Sequence, residues 1–413
     1  MFTRRRFLLT LPAFAVANRL AAQSFFPYSH RKPLPPPPPS FVYIGTDTAK
    51  GVSRGIYLCR FDPLNGHLSA PLLVAESVRP AYFAFAPPIN GQRRLYVANE
   101  APDNTATATS YLADPATGAL REINHVTATA PGPAYISVDA TGQSAFVADY
   151  AGSAVASYRI LPNGALSQPV ERLNYKDPRF GYRTPTAANG RNPVRQDAPH
   201  PHSTHLSPDN PFLLLSDLGS DELSVMALDP ATPRLGPPAL FSNDRPGSGP
   251  RHIAFHPNGR WVYSINEIDS TIDRFLWTTT SSRTHPQGLL VLAAGGPVKT
   301  IAPNFPSAKN TAAEIAVAPD GRFLYASNRG ENSLVVFTIA PADGALTLLE
   351  RIPCGGKTPR QFTLSPDSEA RWLLCGNQDS ASVTVFRRDP ASGQLGGPIQ
   401  TLPIDSPLFT LFA

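Results

Sequence analysis

The sequence is poor in cysteine, methionine and charged residues. Its 413 residues include three cysteines, two methionines and only 16% charged side chains. Cys59, Cys354 and Cys375 are too widely spaced to match any pattern of metal-binding cysteines. An oxidising compartment would permit one disulfide among them, but we expect buried strand thiols.

The chain also lacks an apolar run of the roughly 20 residues that a membrane-spanning helix needs. A short apolar segment follows the charged N-terminus and ends near Ala22. This arrangement predicts an export signal over residues 1–22, cleaved after Ala17 or Ala22, rather than a stable membrane span. Thr3-Arg4-Arg5-Arg6-Phe7-Leu8 resembles the twin-arginine type of signal, which implies a periplasmic or secreted protein.

No surplus of basic residues remains once this segment is removed. The chain has 36 basic and 31 acidic residues, and residues 1–22 hold four arginines and no acid, which leaves 32 against 31. This balance does not predict a nucleic-acid partner. Residues 23–40 include a run of prolines and form a stiff linker. For residues 41–413 we expect a monomer that binds a small molecule.

Sustained helical periodicity is missing as well, and short strand-like segments recur in its place. Each copy is an apolar strand, a turn that contains proline with aspartate or asparagine, and a second strand, before two further strands follow. Proline fixes φ in such turns, while glycine or asparagine tolerates positive φ. The clearest copies are residues 202–218, 249–267 and 311–329.

Looser copies complete a ring of seven. The second strands end between 49 and 68 residues apart, at Asp47, Glu100, Tyr150, Leu218, Glu267, Arg329 and Gln378. The copy that opens at Phe41 lacks a first strand, and residues 406–412 resemble that missing strand. The sequence therefore predicts an all-β, seven-bladed β-propeller over residues 41–413, with four-stranded antiparallel blades. Strands from the two ends of the chain share one blade and remove a free edge.

This ring gathers polar residues at one mouth of a central channel. The start of each first strand neighbours the end of the second strand, because the two are antiparallel. Most starting positions are occupied by small or apolar residues, but His202, Arg251 and Arg360 are polar. Candidate substrate-binding residues on the same rim are His200, Arg360, Glu100 and Gln378. His205 is an odd number of residues from His202 and is expected to face the other side of the sheet, in a structural role.

The chemistry of this rim favours an anionic or carbonyl-bearing ligand over a metal ion. His-x-His on a strand suits a metal, but the neighbouring Arg251 and Arg329 repel a divalent cation and attract an anion. We therefore predict no metal and no other cofactor.

Four stretches resemble the seven-bladed lactonase family, which includes a type of 6-phosphogluconolactonase and the fungal 3-carboxy-cis,cis-muconate cyclase. They are Ser53-Arg54-Gly55-Ile56-Tyr57, His200-Pro201-His202-Ser203, Gly249-Pro250-Arg251-His252 and Ser327-Asn328-Arg329-Gly330. The resemblance implies a catalytic set of His202, Arg251, Glu267 and Arg329, which the ring geometry had already gathered. The sequence departs from the family at Asp47, where tyrosine is common, and in an insertion over residues 175–198, a candidate lid.

Three functions fit this set of residues. The resemblance implies a lactonase, with His202 as base and the two arginines stabilising the charge that forms at the carbonyl. A cyclase that closes the lactone ring would use the same residues. An exported propeller that only binds an anionic ligand or a protein would need no base. Export favours a lactone other than a sugar phosphate, since sugar phosphates belong to the cytoplasm.

Overall fold

Short antiparallel strands joined by tight turns make up most of the described chain. The structure is a computed structural model that describes residues 40–103, 105–177, 190, 192–229, 231–242, 245–280 and 287–413. The predicted signal and nearly all of the linker, residues 1–39, lie outside the described residues. Within the described residues no helix is long and apolar enough to cross a membrane.

The described residues form thirty strands in seven sheets, and each sheet is one blade. Blade 1 begins with β1 (Ser40–Thr46), β2 (Gly55–Phe61) and β3 (Leu72–Glu76); blade 2 contains β4 (Pro80–Phe85), β5 (Arg93–Asn99), β6 (Thr107–Ala113) and β7 (Leu120–Thr127); blade 3 contains β8 (Pro133–Val138), β9 (Ser144–Asp149), β10 (Ala154–Ile160) and β11 (Leu166–Asn174). Blade 4 contains β12 (Pro201–Leu206), β13 (Phe212–Asp217), β14 (Glu222–Asp229), β15 (Arg234–Leu235) and β16 (Ala239–Ser242); blade 5 contains β17 (Pro250–Phe255), β18 (Trp261–Asn266), β19 (Thr271–Thr279), β20 (Gly288–Leu292) and β21 (Val298–Lys299). Blade 6 contains β22 (Ala312–Val317), β23 (Phe323–Asn328), β24 (Ser333–Ile339) and β25 (Leu346–Pro353); blade 7 contains β26 (Pro359–Leu364), β27 (Trp372–Asn377), β28 (Ser382–Arg388) and β29 (Leu395–Pro403); β30 (Pro407–Phe412) completes blade 1. Within the described ranges, two 3₁₀ turns, Ser307–Lys309 and Gln378–Ser380, interrupt this pattern.

The ring is closed by strands from the two ends of the described chain. β30 pairs antiparallel with β1, so that Val42 lies opposite Phe412 and Ile44 opposite Thr410. The last strand is thus the inner strand of the blade that the first strand begins, which confirms the predicted all-β propeller and its closure. Blades 4 and 5 differ in one detail, since two short strands share the outermost position and pair with β14 or with β19.

Neighbouring blades are joined by a recurring hydrogen bond from a buried tyrosine. In four blades a tyrosine lies three residues before the end of the apolar second strand, and its hydroxyl donates to a glycine carbonyl in an outer turn of the next blade. The pairs are Tyr43 with Gly118 (2.7 Å), Tyr96 with Gly164 (3.0 Å), Tyr263 with Gly344 (2.8 Å) and Tyr325 with Gly393 (2.6 Å). Each of these bonds satisfies a buried hydroxyl between two apolar sheet faces, and it fixes the spacing of the blades.

The three cysteines are buried and unbridged, as predicted. Cys59 lies in β2 and Cys375 in β27, while Cys354 follows β25. Burial raises the pKa of Cys59 to about 12, so its thiol stays protonated and unreactive at neutral pH.

Candidate active site

The predicted rim residues are placed by a backbone hydrogen bond that recurs around the ring. The residue after each second strand donates its N–H to the carbonyl of the residue immediately before the inner strand. Glu267 N donates to Gly249 O at 2.7 Å, and Arg329 N donates to Thr311 O at 2.9 Å. Gly249 has a φ of 67°, a conformation that glycine adopts without strain. This contact brings Arg251 and Glu267 to the same mouth of the channel.

Glu267 is the centre of a buried cluster of arginines. Its Oε2 lies 3.1 Å from Arg251 Nε and 2.6 Å from Arg329 Nη2, and its Oε1 lies 2.5 Å from Arg195 Nη2. The carboxylate side chain is only 1% exposed. One buried anion therefore holds three guanidinium groups, which come from blade 5, blade 6 and the loop before blade 4.

The charge state of Glu267 follows from this environment. Burial opposes ionisation, but the guanidinium groups of Arg329, Arg195 and Arg251 outweigh it and lower the pKa of Glu267 to about 2. A carboxylate this acidic is a poor proton acceptor near neutral pH. Glu267 is therefore suited to orient the arginines rather than to act as a base.

His202 lies beside this cluster in a neutral state. Its ring packs edge-on against His252 and Tyr150, with centroid distances of 5.1 and 5.5 Å. Burial, with the positive charge of Arg251, holds the pKa of His202 well below its usual range. Nδ1 is buried and has no hydrogen-bond partner among the described residues. The imidazole is thus unprotonated in the unliganded site and able to accept a hydrogen bond from a water molecule, and negative charge that develops beside Arg251 during a reaction would raise this pKa and let the ring take the proton.

The arginines keep some donors free for a ligand. Arg251 uses Nε for Glu267 and Nη1 for the Ala313 carbonyl at 2.6 Å, and its Nη2 makes no hydrogen bond within the described residues. Arg329 uses Nη2 for Glu267, and its other terminal nitrogen, Nη1, likewise makes no hydrogen bond within the described residues. Two planar guanidinium groups with free edges suit an oxyanion or a carboxylate.

A second set of charged residues lies on the same rim. Arg360 donates to Glu100 at 3.1 Å, although the two come from blades 7 and 2. Arg79 lies 3.3 Å from Asp47 and 3.9 Å from Glu100, and Gln378 donates to Asp47 at 3.5 Å. Asp47, where the family commonly has tyrosine, thus pairs with Arg79. Arg360 also lowers the pKa of His202, after burial and the charges of Arg251 and His252, and this coupling joins the two sets electrostatically.

His200 is already engaged by the protein. Its Nδ1 is 3.0 Å from the Tyr150 carbonyl and its Nε2 is 2.9 Å from Asp197. The ring also stacks on Tyr150 at a centroid distance of 4.4 Å. With both nitrogens occupied, His200 holds Tyr150 in place at the edge of the site.

The expectation that His205 faces the other side of the sheet from His202 is wrong. The inner strand β12 carries a β-bulge between Pro201 and Ser203, which shifts the alternation of its side chains. His205 consequently lies in the channel, 5.0 Å from the ring of Tyr135, and lines a cavity of about 450 Å³ at the far end. The same bulge recurs in β17, so Arg251 contacts Glu267 while the adjacent His252 contacts His202 inside the channel.

Arg195 and Tyr150 are site residues that the sequence did not single out. Arg195 belongs to the insertion over residues 175–198, and its guanidinium contacts both Glu267 and the Tyr150 hydroxyl, the latter at 3.2 Å. Residues 178–189 and 191 of this candidate lid lie outside the described residues. The arginine-rich composition of the insertion was the one available signal, but it does not indicate which arginine reaches the rim.

The charges of this rim are poorly arranged for a metal ion. In the described part of the chain, no group of three or more His, Cys, Asp or Glu side chains is placed to hold one. The guanidinium groups around Glu267 occupy the space that a cation would need.

The comparisons with known proteins agree with this fold. Residues 41–412 match the family model described as lactonase, 7-bladed beta-propeller. The chain is 29% identical to a 6-phosphogluconolactonase of Bacillus subtilis, over 90% of this chain and 97% of that protein. It is 33% identical to the solved periplasmic gluconolactonase PpgL of Pseudomonas aeruginosa, with a TM-score of 0.79 over 91% of this chain and 99% of that chain. A putative 6-phosphogluconolactonase from Bacteroides fragilis superimposes with a TM-score of 0.78 at 27% identity, over 92% of this chain and 99% of that chain. The chain belongs to the seven-bladed β-propeller lactonase family.

Proposed function

We propose that this protein is an exported lactonase that hydrolyses a sugar or carboxylic-acid lactone at the rim that holds Glu267. The observation that carries the proposal is the joint placement of Arg251 and Arg329 on one buried carboxylate, beside the neutral ring of His202. Acyl transfer needs a proton acceptor and donors aimed at the oxyanion, and this cluster supplies both.

The reaction would proceed through a tetrahedral intermediate. A water molecule loses a proton to a ring nitrogen of His202 while its oxygen attacks the lactone carbonyl. Arg251 and Arg329 stabilise the oxyanion through their free donors. The ring C–O bond then breaks, and the leaving oxygen takes the proton back from His202. Glu267 takes no proton in this scheme, since its low pKa keeps it ionised as an anchor for the arginines.

The resemblances suggest two substrates that differ in charge. The name of the Bacillus protein refers to a phosphorylated gluconolactone, whereas the Pseudomonas protein is described as a periplasmic gluconolactonase. The predicted twin-arginine signal favours the unphosphorylated type, because sugar phosphates are confined to the cytoplasm. In this proposal Arg360 with Glu100, and Gln378 with Asp47, would contact hydroxyl groups of the sugar.

Two alternatives use the same rim. Ring closure by a muconate-type cyclase needs the same acid–base residue and the same arginines, so the direction of the reaction has to be measured. A platform that only binds an anionic ligand would need the arginines but not the neutral imidazole of His202.

A substrate panel separates these proposals. The mature protein is assayed with gluconolactone, 6-phosphogluconolactone and a carboxymuconate, and acid release or ring closure is followed against the uncatalysed rate. We expect hydrolysis of gluconolactone, faster than hydrolysis of the phosphorylated lactone. Turnover of the carboxymuconate alone would favour the cyclase, and no turnover of any compound would favour the platform.

A further inference from the structure

A buried acid and a histidine that the proposed reaction does not use lie inside the channel below the arginine cluster. Glu314 and His252 are 6% and 3% exposed, and His252 Nδ1 lies 2.9 Å from Glu314 Oε1. The backbone N–H of Ile315 donates to the same oxygen at 3.0 Å. The other oxygen, Oε2, has no hydrogen-bond partner among the described residues. It is therefore the oxygen that can carry a proton.

This pair is connected to Arg251. Arg251 Nη1 lies 3.3 Å from His252 Nε2 and 3.5 Å from His252 Nδ1, and it donates at 2.6 Å to the carbonyl of Ala313, the residue before Glu314. An ionised Glu314 can only accept, so His252 Nδ1–H donates to it and the unprotonated Nε2 is left to face Arg251. A chain of contacts thus runs from Arg251 through His252 to Glu314.

Of Glu314 and the titratable groups that face it, Glu314 is the one whose charge changes near neutral pH. The facing groups are Arg251 and His252 from β17, His205 from β12, Tyr82 from β4 and Tyr135 from β8. Burial raises the pKa of Glu314 to about 7, although the charge of Arg251 opposes this. Burial lowers the pKa of His205 to about 3 and that of His252 well below its usual range, while burial raises those of both tyrosines.

We propose that Glu314, acting through His252, is a positioning residue that sets how strongly Arg251 attracts an anion in the active site. When Glu314 is ionised, its charge offsets part of the positive field of Arg251. When it is protonated, that field acts in full on a ligand at the rim. Anion affinity should therefore be higher on the acidic side of the titration. The inference rests on the proposed function in one respect only, namely that the anionic product of a lactone binds at Arg251.

Gluconate is a suitable probe, because its carboxylate keeps one negative charge across the relevant range. Its dissociation constant is measured by calorimetry at about pH 6 and about pH 8.5, on either side of the titration. For the wild type we expect binding about three- to thirtyfold tighter at the lower pH, as a unit charge acting through protein would produce. Glu314→Gln should bind gluconate with the acidic-side affinity at both values.

Two further variants complete the test. Glu369→Gln removes an exposed carboxylate that pairs with Arg371, and it should keep the wild-type response. His252→Gln keeps the acid but breaks the link to Arg251, so it should weaken the response even if Glu314→Gln fails to fold. The inference is overturned if Glu314→Gln or His252→Gln retains the full wild-type pH response, or if the wild type binds no gluconate at either pH. Gluconate binding with this response but no lactone turnover would refute the proposed function and leave this inference standing.

Discussion

The carboxylate of Glu267 lies 2.6 Å from the guanidinium of Arg329, and this ion pair joins blade 5 to blade 6 across the rim of the channel. Neither blade could form the cluster alone, because each contributes only one end of the pair. The site is therefore a product of the packing of neighbouring blades, and its geometry depends on the spacing between them.

Loss of the Glu267 charge should destabilise the protein in a pH-dependent way. The folded-state pKa of about 2 lies below the usual value of 4.5, so the ion pairs contribute stability above pH 4.5 that is lost as the pH falls toward 2. Glu267→Gln should lower the free energy of unfolding by about 3 kcal/mol at neutral pH, because it leaves buried cations without a counter-charge. Denaturant unfolding should show a much smaller difference at about pH 3. A difference of equal size at both pH values would refute the assignment.

Removal of either bridging arginine should weaken binding more than it alters the fold. Arg251→Ala should cost roughly 1.5–3 kcal/mol, or about ten- to a hundredfold in affinity for gluconate, since one charge-assisted contact is lost. Arg251→Lys should recover only part of this, because an ammonium lacks the planar fork. Arg371→Ala, at an exposed ion pair, is the control and should bind normally. Full recovery by lysine would argue against a forked contact.

Arg195 should contribute less than Arg251 to substrate binding. Its side chain is 38% exposed, so solvent screens its charge and the inserted segment can hold it less firmly. Arg195→Ala should raise KM about three- to fivefold with little change in kcat, as an exposed ion-pair contribution of less than about 1 kcal/mol would give. A loss in kcat as large as that of Arg251→Ala would place Arg195 among the groups that contact the reacting atoms.

Loss of a tyrosine hydrogen bond between blades should lower the stability of the protein without changing binding at the rim. Tyr263→Phe removes the hydrogen bond to Gly344 and leaves a buried carbonyl unsatisfied, so it should cost about 1–2 kcal/mol. Tyr158 is a matched control, because its hydroxyl is also buried but, within the described residues, makes no hydrogen bond to a glycine carbonyl of the next blade and lies near the Thr129 backbone instead. Tyr158→Phe should therefore cost clearly less than Tyr263→Phe in thermal unfolding. Equal losses from the two substitutions would mean that the hydrogen bond to Gly344 contributes nothing specific.

The sequence was sufficient to predict the ring because each copy carries its own turn chemistry. Proline followed by aspartate or asparagine marks the hairpin between the first two strands, and the orphan strands at residues 41–46 and 407–412 indicated how the ring closes. The shared rim of Arg251, Glu267 and Arg329 follows from antiparallel pairing alone. This pairing is a local geometry that recurs in seven copies, so one sequence is enough to reveal it.

The remaining features depend on contacts that have no local signature. The bulge in β12 turns His205 into the channel, and simple alternation predicted the opposite side. Arg195 comes from an insertion that no other copy shares, and Arg360 reaches Glu100 across a blade that lies between them. The pair of His252 and Glu314 is formed by inner strands of two blades, and nothing in the spacing of those residues indicated it.

The central claim is that His202 acts as the proton acceptor beside two oxyanion-binding arginines. The most direct test is acid release from gluconolactone, measured for the mature wild-type protein and for His202→Ala, together with the affinity of each for gluconate. The account predicts hydrolysis well above the buffer rate, a loss of about 10²- to 10⁴-fold in kcat for the variant, and gluconate affinity within about threefold of wild type. Unchanged turnover in His202→Ala, or loss of binding and turnover in equal measure, would contradict it.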